Sequence, residues 1–98
     1  MIVLFVDQLG QIVATPGALV ALAATNTSHS TLLSRHASGD WGDLDAHDRA
    51  TNDAALRDGS RLLSAYTVAE GVTVWIITEA TDEDGHRAAT TLLLPEEY

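Results

Sequence analysis

The chain has no cysteine and no lysine, and few aromatics: two Trp, two Tyr and one Phe in 98 residues. Without cysteine there is no disulfide framework, no thiolate nucleophile and no cysteine-based zinc site. Without lysine the fixed cations are five arginines, set against fourteen Asp and Glu, for a formal charge of −9. Phosphate contacts need clusters of Lys or Arg, so direct nucleic-acid binding is disfavoured. No apolar run approaches the ~18 residues of a spanning helix, so no membrane partner is expected. The apolar start, Met1 to Val6, carries no basic residue and is stopped by Asp7, too early for a signal-peptide core. It reads as a strand or ordered tail, and the expectation is a cytoplasmic protein.

The apolar fraction of 46% is that of a globular chain rather than a disordered one. The length suits one domain spanning 1–98, with a modest core. The charge is uneven. Residues 1–38 hold one acid and one base, residues 39–58 six acids and two bases, and residues 59–98 seven acids and two bases. The negative charge therefore begins after Ser38. It reads first as a solubility or salt-adapted surface, and second as an electrostatic footprint for a basic partner.

Residues 9–14 form a short strand candidate around Ile12 and Val13. Thr15-Pro16 is a helix start, because Thr caps free amides and Pro at the first helical position lacks a donor that had no partner. The helix that follows, to residue 24, is apolar on nearly every side, which predicts burial all round. A second helix spans 28–38, with His29, Leu32, Leu33 and His36 on one face. A structured loop follows at 39–43. A third, surface helix spans 45–58, with Asp45 as N-cap and Asp48 three residues on. Its Asp45–Arg49 and Asp53–Arg57 spacings predict i, i+4 ion pairs. The remainder reads as strands at 61–67, 72–79 and 87–94, with turns at 69–71 and 81–85, and the β-branched 72–79 segment in the centre. Helices first and hairpins last argue an α+β fold: two to three N-terminal helices packed on one face of a three- or four-stranded antiparallel β-meander, with an N-terminal strand able to join an edge.

Chemistry-bearing constellations are few. The histidines are His29, His36, His47 and His86, and a metal or hydrolytic site would have to draw on His36, Asp40, Asp43 and His47, at spacings that match no metal-ligand motif. Phosphate-cradling loops and nucleophile elbows are absent, no cofactor is implied, and no catalytic residue stands out among the acids. Trp75 belongs to the central strand. Trp41, between acids, is either a buried anchor that pins its loop to the sheet or an exposed contact for an Arg-bearing partner.

Several strings carry a resemblance: Leu9-Gly-Gln-Ile-Val-Ala-Thr-Pro-Gly-Ala18, Arg35-His36, Gly39-Asp-Trp-Gly-Asp-Leu44, Leu56-Arg-Asp-Gly-Ser-Arg61, Ser64-Ala-Tyr66, Trp75-Ile-Ile-Thr-Glu79 and Thr90-Thr-Leu-Leu-Leu-Pro-Glu-Glu-Tyr98. Together they resemble a group of small uncharacterised prokaryotic proteins described as plasmid-related or hypothetical, some under restriction-modification labels. The resemblance covers nearly the whole chain from Leu9 on. It implies a mobile-element setting and makes residues 1–8 a variable N-terminal extension. It transfers no catalytic residue.

These readings converge on a non-enzymatic acidic interaction protein. Its candidate surface is Asp40, Trp41, Asp43, Asp45, Asp48, Asp53, Asp82, Glu83 and Asp84, and its partner a basic protein, such as a nucleic-acid-handling protein whose DNA groove it occupies. The alternative is a small metal-binding or hydrolytic enzyme using the His/Asp set. A homo-oligomer through the sheet edge or the apolar start is a third expectation.

Overall fold

The computed structural model describes residues 6–98, and the expected strand or tail at the extreme N-terminus lies almost wholly outside them. A 3₁₀ turn, Val6–Leu9, leads into strand β1, Gln11–Ala14. Three helices follow: α1, Pro16–Ala24; α2, His29–Ala37; and α3, Ala46–Asp58. Strands β2, Leu62–Ala69, β3, Val72–Thr78, and β4, Ala89–Leu93, close the fold, with a 3₁₀ turn at Pro95–Glu97.

The helix ends obey local chemistry. Thr15 accepts from the Ala18 amide and Asp45 from the Asp48 amide, so both side chains satisfy amides that the first turn leaves free. Gly59 ends α3 in the left-handed region, φ 82°, which costs glycine no steric strain. The two expected ion pairs of α3 do not form. Arg49 turns instead to the Leu44 and Gly42 carbonyls, both at 2.9 Å, and Asp53 accepts from the Trp41 indole at 3.0 Å. Fixed acceptors in the neighbouring loop outweigh an exposed pair worth a few tenths of a kcal/mol (~0.3).

The sheet is mixed rather than purely antiparallel, a correction to the expected meander. Its order is β1-β4-β3-β2; the last three are antiparallel neighbours, but β1 lies parallel to β4. The reason lies at the ends of these two strands. Parallel alignment brings the exit of β1 beside the exit of β4, where the Thr15 amide reaches the Leu92 carbonyl at 3.0 Å. There Glu97 accepts from the Thr15 hydroxyl and from the Gly17 amide at 3.1 Å, placing a carboxylate on the N-terminus of α1. The last turn, through Glu97, thus docks on the first helix.

One sheet face carries Leu62, Ser64, Tyr66, Val74, Ile76, Thr78, Thr90 and Leu92, all at most 1% exposed. All three helices pack on it. Ala18, Leu22 and Leu32 meet Tyr66, Val74, Ile76 and Leu92, while Trp41 and Ala55 meet Leu62. The expected burial of α1 on every side does not hold: Leu19 and Val20 are 55% and 69% exposed. Two buried positions four apart, Ala18 and Leu22, suffice to seat a helix with one face on a sheet.

The outer edge of β2 is closed. The Asn52 side chain accepts from the Leu63 amide and donates to the Leu63 carbonyl at 2.6 Å. The Trp41 carbonyl takes the Ala65 amide, the Asp43 amide bonds the Ala65 carbonyl at 2.7 Å, and the Asp43 carboxylate takes the Thr67 amide. Loop 39–43 is therefore a cover for a strand edge, which would otherwise be a template for pairing.

Candidate functional site

The nine surface residues named from the sequence separate into three groups. Trp41 is only 4% exposed, packed against Ala55 and Leu62 and edge-on to His36 at 5.6 Å. It is the buried anchor of its loop and leaves the candidate surface, because an indole held this way cannot reach a partner. Asp40, Asp43, Asp45, Asp53 and Asp82 are exposed but also bonded within the fold. Asp40 pairs with Arg35 at 2.6 Å and takes the Gly42 amide; Asp82 takes the amides of Asp84 and His86, both at 2.9 Å. Asp48, Glu83 and Asp84 are exposed at the start of α3 and on turn 82–84.

Those bonds keep charge on the surface. Arg35 holds the Asp40 carboxyl below its usual range, the Thr67 hydroxyl and amide do the same for Asp43, and the His86 and Asp84 amides for Asp82. Each carboxylate is thereby ionised and oriented. The acidic surface is nevertheless divided. Between the end of α3 and the 82–84 turn lies an open cleft of about 540 Å³ lined in part by Arg57, Asp58, His86 and Arg87. Arg87 is 9% exposed and serves the fold, donating to the carbonyls of Ala55, Ser60 and Glu79. One acidic patch therefore comprises loop 39–43 with α3; the turn is a second, across the cleft.

The four-residue His/Asp set does not converge. His36 is fully buried, with Nδ1 at 2.6 Å from the Ser64 hydroxyl and Nε2 at 2.8 Å from the Thr78 hydroxyl. The chain continues from Thr78 to Thr90 at 2.8 Å, and Thr90 donates to the Leu9 carbonyl at 2.6 Å. This last bond sets the direction of the whole relay. A carbonyl only accepts, so the Thr90 proton is committed to Leu9 and its oxygen accepts from Thr78. Thr78 must then accept from Nε2–H, which leaves Nδ1 unprotonated to accept from Ser64. Burial, assisted by the Arg87 charge, pushes the imidazole down to about 4 and keeps it neutral.

Neither ring nitrogen is free for a metal. Ser64 and His36 stand at the distance of a nucleophile and its base, but both are 0% exposed and closed to any substrate. Asp40 and Asp43 are turned to Arg35 and Thr67, and His47 is exposed on α3. A different trio, Asp82, Asp84 and His86, brings ligand atoms within 4.8 Å of one another on the exposed turn. Sequence spacing passed over the relay because Ser64, Thr78 and Thr90 are far apart in the chain. Their signal was parity: each lies on the apolar face of its strand, where a hydroxyl needs a partner.

Among the described residues, no helix is long and apolar enough to cross a membrane. Comparison with family models, curated proteins and solved structures found no match to this chain.

Proposed function

We propose that this chain is a non-enzymatic, acidic protein-interaction module that engages a basic protein through loop 39–43 and the adjoining face of α3, with turn 82–84 as a flanking contact. One observation carries the reading: two carboxylates of the loop are held ionised and oriented at the surface, Asp40 by Arg35 and the Gly42 amide, and Asp43 by the Thr67 bonds that also cover the β2 edge. A preorganised array of carboxylates loses little side-chain freedom on meeting arginines, which bond carboxylates in pairs. In the mobile-element setting suggested by the Gly39–Leu44 and Leu93–Tyr98 strings, the partner is a nucleic-acid-handling protein and the carboxylates stand in for phosphates.

The test is capture of partners from the host at rising salt, comparing the chain with D48N/E83Q/D84N and with a control of equal charge change, E70Q/E79Q/E96Q. Loss of a salt-sensitive partner in the first variant alone supports the reading. Equal loss in both means that net charge, not the patch, does the binding. The alternative, a metal-binding or hydrolytic module, would rest on Asp82, Asp84 and His86 rather than on His36. Calorimetric titration with zinc, manganese and magnesium separates the two: heat with one ion per chain favours the metal module, and no heat disposes of it.

A further inference from the structure

Among the described residues, the two edges of the sheet are treated in opposite ways. The outward N–H and C=O groups of β2 are matched by Asn52, by the loop backbone and by Asp43. On β1, Gln11, Ile12 and Val13 are all exposed, with Ile12 and Val13 at 41%. The amides of Gln11 and Thr15 bond the Ala88 and Leu92 carbonyls of the inner neighbour. By the two-residue period of a strand, the N–H and C=O of Ile12 and Ala14 then point away from β4, along the outer edge.

Charge identifies what pairs with that edge. From Gln8 to Ser34 the sequence contains no Asp, Glu, Lys or Arg, while the whole chain carries −9. Two such chains repel each other over most of their surfaces, and β1 with α1 and most of α2 is where each brings least fixed charge, Glu97 at the β1–α1 junction being the acid that bonds there. A basic partner is drawn to the acidic patches instead. We propose that β1 pairs with β1 of a second copy of this chain, antiparallel about a two-fold axis at Val13. In that register Ile12 of each copy faces Ala14 of the other, their outward amides and carbonyls exchange four hydrogen bonds, and the two sheets become one. The contact is short, so the dimer is weak, at the small end of interface sizes, below about 1,200 Å². This inference is independent of the proposed partner site: β1 and the loop 39–43 cover of β2 belong to opposite edges of the sheet.

Salt dependence separates the two. Screening relieves the repulsion between like-charged copies, so self-association strengthens between about 0.05 and about 0.5 M salt, whereas binding to a basic partner weakens. Sedimentation velocity over a concentration series reads this directly. Two variants test the register. I12P deletes an outward donor at a strand edge, where proline is tolerated, and V13K places two like charges face to face on the axis. V13K also lowers the net charge, so general repulsion predicts tighter association for it and the register predicts loss. Dichroism and melting temperature establish that each variant is folded. The expected result is a salt-strengthened dimer that D48N/E83Q/D84N preserves and that I12P and V13K abolish. A chain that stays monomeric at high concentration in high salt, or a dimer that survives both edge variants, overturns the proposal.

Discussion

At the scale of single residues, His36 is the most exacting group in the molecule. Its folded pKa, about 4, lies below the ordinary value of 6.5. The unfolded chain therefore binds a proton that the folded one refuses between these values. Stability from the neutral imidazole is fully present above pH 6.5 and is lost as pH falls toward 4, by about 3 kcal/mol over the window. Urea midpoints measured at pH 7 and pH 4.5 should differ accordingly, and His36→Gln should flatten the difference while lowering stability at pH 7. An unchanged slope in that variant would assign the acid sensitivity to the carboxylates instead. Glu97 shows a different lesson: an exposed acid three bonds deep in the fold, joining the last turn to the N-terminus of α1 and to the Leu94 amide.

At the scale of elements, the edge cover of β2 is the decisive arrangement. Asn52 is 4% exposed and acts as a substitute peptide group for Leu63. Asn52→Ala leaves both groups of Leu63 without that partner and should cost about 1–3 kcal/mol in chemical denaturation. It should also raise aggregation on heating, since the edge is then open. Gly42, φ 76°, lies where a Cβ would collide with the Ala65 carbonyl oxygen. Gly42→Ala should therefore detach the loop and expose Trp41 to solvent, with a red-shifted emission as the readout; emission identical to that of the parent would contradict the account of the loop as an edge cover. Most element boundaries were readable beforehand, because capping residues, turn glycines and the β-branched run act locally. The caps at Thr15 and Asp45 are where the sequence places them.

At the scale of the whole molecule, charge and apolar surface are segregated along the chain. Asp and Glu from Asp40 onward load α3 and the turns, while β1 and α1 are neutral and leave Ile12, Val13, Leu19 and Val20 exposed. A chain at −9 is destabilised by its own repulsion, so its melting temperature should rise with salt up to about 0.5 M, where the Debye length has shrunk to a few ångströms. A melting temperature that falls with salt would mean that local pairs such as Arg35–Asp40 outweigh the general repulsion.

The sequence by itself determined what depends on neighbours in the chain: three helices, the hairpin strands, the site of each cap, the α+β class and the side of the charge. These follow from backbone propensities and periodicities that act within a few residues. Only the tertiary structure decided that β1 runs parallel to β4, that His36 is sealed in a hydroxyl relay, that Trp41 is an anchor, and that Asn52 closes the β2 edge. Each of these joins residues from 11 to 82 positions apart. The partners are chosen by which buried polar group is left unsatisfied once the apolar faces have met. No local pattern carries that information, because the need arises only when the sheet is assembled.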